Sequence, residues 1–116
     1  MHKIINNLIE IKKEIYSKNI NNNQNPKIIA VSKTFSMNDI MPLIDYGHID
    51  FGENKVQEAI DKWTNVKSIN DNIKLHMIGK LQTNKVKQSV GLFDYIHSVD
   101  SIKLAEKICK EQKKIN

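Results

Sequence analysis

Apolar positions recur along this chain in two rhythms. Ile4, Leu8, Ile11 and Ile15 follow helical spacing, and Ile5 and Ile9 widen the stripe, which predicts an amphipathic helix from Met1 to about Lys18. The polar run from Asn19 to Pro26 then reads as a loop between elements. Lys27-Ile28-Ile29-Ala30-Val31-Ser32-Lys33-Thr34 has the other rhythm. A short β-branched run closed by polar residues predicts a strand buried on both faces, as in a parallel sheet covered by helices. Alternation sets Ile29, Val31 and Lys33 on one side and Ile28, Ala30 and Ser32 on the other.

The same alternation continues. Ser36 or Asn38 can cap a helix that runs to Asp45 or Tyr46 and stops at Gly47, and Pro42 favours Asn38 because proline is tolerated only in a first turn. His48-Ile49-Asp50-Phe51 is a second strand, closed by Gly52-Glu53-Asn54. Val56, Ala59, Ile60 and Trp63 place a helix over Lys55 to about Val66, with Trp63 in the core, and Ser68 to Asn72 is a polar turn. Ile73 to Ile78 is a third strand, followed by a short helix from Thr83 or Asn84 to Gly91. Phe93 to Val99 is a fourth strand, after which Asp100 caps a last helix defined by Ile102, Ala105, Ile108 and Cys109. One helix and then four strand-helix units predict an α/β fold with a parallel sheet, its ligand groups on the loops after the strands. A complete eightfold barrel takes about 250 residues, so this chain supplies about half of one.

Composition narrows the partners. A chain of 116 residues fits one domain, and its single cysteine, Cys109, leaves no internal disulfide. With no apolar signal segment and no membrane-length run, the expected setting is a reducing cytoplasm. The formal charge of +5 admits an anionic partner, yet all 18 basic residues are lysine. Without arginine there are no bidentate contacts to bases or phosphates, and no aromatic platform accompanies Lys80, Lys85 and Lys87, so the charge reads as a solvated surface and no nucleic-acid partner is expected. His2, His48, His76 and His97 show no i, i+4 pairing that suggests a metal, and His76 and His97 read as polar residues at strand edges.

Lys33 is the candidate reactive residue. An ammonium at the end of a strand with aliphatic neighbours is partly stripped of water, which favours the neutral amine and suits it to attack an aldehyde. The alternative is a lysine that snorkels from the strand end into solvent.

Three strand ends read together carry a resemblance: Ala30-Val31-Ser32-Lys33-Thr34, Phe51-Gly52-Glu53-Asn54-Lys55-Val56-Gln57-Glu58, and His76-Met77-Ile78-Gly79-Lys80-Leu81-Gln82-Thr83-Asn84-Lys85. In this order and spacing they closely resemble the pyridoxal phosphate homeostasis family, related in fold to the N-terminal barrel of alanine racemase. The similarity extends through Phe93-Asp94-Tyr95-Ile96-His97-Ser98-Val99-Asp100. It implies half of a TIM (β/α)8 barrel, with Lys33 holding pyridoxal 5'-phosphate as an aldimine and Asn54 and Met77 beside the cofactor. It also implies a carrier or regulator of vitamin B6 balance without catalytic turnover, with apoenzymes that use this cofactor as its partners. A racemase would need a second acid or base, for which Glu53, His76 and Tyr95 are the nearby candidates.

Family members are about twice this long, and the serine- and glycine-rich loops that bind the phosphate belong to the absent half. Phosphate handles on barrels commonly follow strands 7 and 8. The expectation is therefore an incomplete barrel domain over residues 1–116, with weakened cofactor binding and self-association through the two open sheet edges. The alternatives of different class are a basic nucleic-acid-associated α/β protein and a racemase-like enzyme.

Overall fold

The computed structural model describes residues 2–18 and 26–115. Helix α1 (Lys3–Lys18) is followed by four strand-helix units: β1 (Ala30–Val31) and α2 (Met37–Tyr46), β2 (Asp50–Glu53) and α3 (Val56–Ile69), β3 (Lys74–Met77) and α4 (Val86–Val90), and β4 (Tyr95–Ile96) and α5 (Ile102–Ile115). A 3-10 turn over Thr83–Lys85 leads into α4. The expected loop from Asn19 lies outside the described residues up to Asn25. All three strand pairings are parallel, in the order β1-β2-β3-β4, so β1 and β4 are the edges among the described residues. This is the α/β order that the apolar rhythms predict.

The register decides what each face carries. Ala30 pairs with Phe51, Phe51 with Leu75, and Glu53 with Met77. Phe51, Leu75 and Met77 project toward the helices and form the core with Val56, Ala59 and Trp63. Trp63 is 0 % exposed, and its ring lies 4.9 Å from that of Phe51. On the other face Gly52 sits between Ile29 and Ile78, whose side chains would stand 3.0 and 3.1 Å from a β-carbon placed there. That face is open: Val31 is 50 % exposed, and Tyr95 and Val99 are exposed with it. The first strand is therefore not buried on both sides, and it spans only Ala30–Val31 of the apolar run.

Several boundaries differ from the expected ones for identifiable reasons. Ser36, in extended conformation, caps α2 in place of Asn38, and Pro42 lies inside that helix. There the proline removes only a bond to the carbonyl of Asn38, in an exposed first turn. Gly47 ends α2 at φ 107°, and the Gly47 N–H bonds the carbonyl of Ile44. The second strand is Asp50–Glu53 and not His48–Phe51, because Gly52 and Glu53 continue the pairing with β3. Helix α3 runs on to Ile69, through the start of the expected polar turn. Ser101 caps α5 in place of Asp100, its Oγ accepting the N–H of Leu104 at 3.1 Å. The inward stripe of α5 is Leu104, Ile108 and Glu111, while Ile102 is 79 % exposed and Cys109 is exposed. Leu104 and Glu111 are seven positions apart and share a face with Ile108, so the helix is rotated away from its less regular apolar set.

Candidate functional site

The strand ends gather the residues of interest. Val31 pairs with Gly52, and the N–H of Ser32 bonds the carbonyl of Gly52 at 2.9 Å. β1 ends at Val31 and β2 at Glu53, so Lys33 and Asn54 both lie in the loops that follow two adjacent strands. Lys33 is exposed, which corrects the expectation of an amine stripped of water: the sheet face below it has no covering layer among the described residues.

The turn that presents Lys33 is unusual. The N–H of Phe35 bonds the carbonyl of Ser32 at 3.2 Å, which makes Lys33 and Thr34 the two central residues of a β-turn. Thr34 has φ 67° and is the sole non-glycine residue with positive φ among the described residues. Glycine is the usual occupant of that position, and a β-branched residue there costs about 1–3 kcal/mol. Glu58 of α3 meets the cost, accepting the Thr34 N–H on its Oε2 at 2.6 Å.

Behind the turn lies a buried polar cluster. Glu53 is 0 % exposed, and its Oε2 accepts the Ser32 hydroxyl at 2.6 Å, the Lys62 ammonium at 2.7 Å and the Trp63 indole N–H at 3.0 Å. Lys62 also donates to the carbonyl of Ser32 at 2.6 Å and lies 3.5 Å from Glu58. These residues are on the helix side of the sheet. Glu53 therefore does not face the open side on which an acid or base beside the cofactor would act.

The open face carries a different chain of bonds. Nε2 of His76 lies 2.9 Å from Oδ1 of Asp50, and its Nδ1 lies 2.9 Å from Nε2 of His97. Tyr95 stacks on His76 at 4.7 Å. His76 and Tyr95 are thus together, and the first already has two partners. No group of three or more His, Cys, Asp or Glu side chains among the described residues is placed to hold a metal.

Asn54 and Met77 line one open groove of about 440 Å³ with Lys55, Lys80, Gln82 and Lys85, and Lys33 is not part of its lining. Met77 is 1 % exposed and belongs chiefly to the core, touching this groove from below. Gly79 is what lets the loop after β3 close on Asn54: a β-carbon there would stand 2.7 Å from the Asn54 carbonyl oxygen. The groups fit a phosphorylated aldehyde in kind, with an exposed amine in the turn after β1 and, in the separate groove after β2 and β3, amide and ammonium groups. Sequence reasoning missed Glu58 and Lys62, whose only signal was the i, i+4 acid-lysine spacing on α3.

This geometry has close parallels. The chain is 39 % identical to the pyridoxal phosphate homeostasis protein of Haemophilus influenzae over 111 residues, 95 % of this chain and 46 % of that protein. It is 32 % identical to the protein of the same name from Escherichia coli K12, over 93 % of this chain and 48 % of that one. It is a homologue of the pyridoxal phosphate homeostasis proteins. The structure of PipY from Synechococcus elongatus, solved with PLP bound, matches it with a TM-score of 0.81 at 34 % identity, covering 97 % of this chain and 50 % of that one. PipY solved without PLP matches at 0.70, over 75 % of this chain. No family model matches the chain. Like these comparisons, the four parallel units correspond to part of a TIM-like barrel, and the chain spans about half the length of the curated homologues it matches. No helix among the described residues is long and apolar enough to cross a membrane.

Proposed function

We propose that this chain supplies the N-terminal half of a pyridoxal 5'-phosphate-binding barrel domain, with Lys33 as the residue that takes the cofactor covalently and Asn54 and Met77 beside it. The observation that carries the reading is the match to PLP-bound PipY over 97 % of the chain, together with an exposed lysine in the turn after β1. When bound, the cofactor supplies an aldehyde that condenses with an amine. The chain's own part is to present that amine: the β-turn after β1 carries Lys33 in solvent, and the close packing of Gly79 fixes the Asn54 backbone at the end of β2. The groove beside Asn54 carries Lys55, Lys80 and Lys85, whose charge favours an anion.

The role proposed is that of a carrier or regulator in the cytoplasm, handing the cofactor to apoenzymes, with no catalytic turnover. Glu53 is buried on the helix side with its Oε2 held by Lys62, and His76 is bonded to Asp50 and His97, so neither of these two is presented to solvent as the second acid or base of a racemase. The homologues extend for about as long again, and the phosphate handles common to barrels follow late strands. Affinity in this chain alone is therefore expected to be weak and to rise when a complementary half is supplied. The open edges β1 and β4 are expected to drive self-association, which sedimentation across a concentration series reads directly.

The test is to incubate the chain with pyridoxal 5'-phosphate, reduce with borohydride and locate the pyridoxyl group by peptide mass among the 18 lysines. The expected result is preferential labelling of Lys33 and loss of the absorbance of the unreduced adduct in Lys33→Ala. Even labelling of many lysines overturns the assignment.

A further inference from the structure

We propose that Glu58 and Lys62 of α3 are positioning residues for Lys33: they grip the backbone on either side of it and hold the left-handed turn that sets where its amine points. The inference deepens the cofactor reading of Lys33 and rests on it.

Three facts converge. Lys33 is flanked by two tethered residues, Ser32 through its carbonyl and hydroxyl and Thr34 through its N–H. The tethers on the Ser32 carbonyl and the Thr34 N–H come from successive turns of one helix, since Glu58 and Lys62 are four residues apart, and they are linked to each other at 3.5 Å. The backbone they hold is one a threonine rarely adopts, with φ 67° at the third position of the turn. A turn left to itself would relax to a conformation with negative φ and redirect the side chain before it. An N–H bonded to a carboxylate at 2.6 Å opposes that relaxation. Lys62 acts from the other side, donating to the same Ser32 carbonyl that closes the turn with Phe35. The Lys62 ammonium is itself held by Glu53, which is anchored on Ser32 and on the core residue Trp63. The position of the amine is in this way referred to the hydrophobic core, while Lys33 itself touches solvent.

A purely architectural role for the same contacts would change stability and leave the choice of lysine untouched. The experiment compares wild type with Glu58→Ala, Glu58→Gln, Lys62→Met and the double variant Glu58→Ala/Thr34→Gly. Each is labelled with pyridoxal 5'-phosphate and borohydride well below its own melting temperature. The readouts are the share of label on Lys33 relative to the other lysines, and hydrogen exchange at the Thr34 amide. Glu58→Ala is expected to lower the Lys33 share by about tenfold or more, tenfold being close to the low end for one hydrogen bond to a charged group, and to expose the Thr34 amide. Glu58→Gln keeps an acceptor of the same length and should retain most of the share. The double variant should recover it, because glycine occupies positive φ without strain.

An unchanged Lys33 share in folded Glu58→Ala and Lys62→Met overturns the inference, as does a loss that Thr34→Gly fails to restore. A wild type that shows no preference for Lys33 overturns the cofactor reading instead. The grip on the turn is then decided by the Thr34 amide, and equal protection in wild type and Glu58→Ala overturns it. If Glu58→Ala is too unstable to label, Glu58→Asp takes its place, one methylene too short to reach the Thr34 N–H: a lowered Lys33 share supports the proposal and an unchanged one overturns it.

Discussion

His76 and His97 share a hydrogen bond of 2.9 Å, and the far side of the His76 ring lies 2.9 Å from Asp50. The carboxylate can only accept, so the His76 Nε2 carries the proton toward Asp50. In the neutral ring Nδ1 is then an acceptor, and the bond is donated by Nε2 of His97. The two ends of this chain should differ in energy. Asp50→Ala leaves a donor of buried His76 without a partner and is expected to cost about 1–3 kcal/mol. His97 is exposed, so water can replace it, and His97→Ala should cost about 1 kcal/mol or less. Urea denaturation of both variants decides the order, and a larger loss for His97→Ala would mean that the His97 end carries more of the energy than the buried Asp50 end.

The Glu53–Lys62 pair makes a second prediction. The carboxylate is 0 % exposed and the ammonium side chain 12 %, at 2.7 Å. Removing one member of a buried pair leaves the other charge uncompensated, and Lys62→Met is expected to cost about 3–5 kcal/mol. In Glu53→Gln/Lys62→Met the remaining amide is neutral and can still accept from Ser32 and Trp63 through its oxygen. The double variant should therefore be more stable than Lys62→Met alone. Chemical denaturation of wild type, Glu53→Gln, Lys62→Met and the double variant measures the coupling, and simple additivity of the two substitutions would contradict it.

Much of this fold was legible because its signals are local and periodic. Phe51, Val56, Ala59 and Trp63 announce a strand and helix that pack on each other, and they do so with ring centroids of Phe51 and Trp63 at 4.9 Å. The loop ends carrying Lys33 and Asn54 were legible from the motifs. What the sequence could not show is which face of the sheet lacks a cover. That face left Lys33 in solvent, as the alternative of a snorkelling lysine had it and not as a partly dehydrated amine, and left Val31 half-exposed. Caps went astray where competing residues lie close together, as Ser36 and Asn38 do, or Asp100 and Ser101. The Glu58 bond to Thr34 was hidden for a further reason: it joins residues 24 positions apart through a backbone angle that no residue type advertises.

A pH effect follows from His48. Burial lowers its pKa from the usual 6.5, against bonds to backbone carbonyls that raise it. In the window between the lowered folded value and 6.5 the unfolded chain binds more protons than the folded one. Stability is then complete above that window and falls as the solution is acidified through it. Thermal melting from pH 7.5 downward should show this loss, and His48→Gln should remove its His48 part. An acid limb of identical size in His48→Gln would exclude His48 as its source.

Gly79 and Gly91 separate a packing requirement from the ordinary cost of glycine. A β-carbon at Gly79 would lie 2.7 Å from the Asn54 carbonyl oxygen and 3.0 Å from the Asn54 α-carbon, so backbone would have to move. Gly91 has nothing within 4 Å of the same atom and a negative φ of −84°. Gly79→Ala is accordingly expected to destabilise by about 1–3 kcal/mol, the usual cost of overpacking. Gly91→Ala should be neutral or stabilise by about 0.4–1 kcal/mol, because alanine has fewer unfolded conformations to lose. The two variants also differ in where they act. Gly79→Ala pushes the loop after β2 away from the loop after β3, so amide resonances of Asn54 and Lys55 should shift while those of β4 stay in place. If Asn54 stands beside the cofactor, the same variant should lower adduct formation at Lys33 with the Lys33 turn intact. Unperturbed Asn54 resonances in Gly79→Ala would mean that the two loops are not in contact.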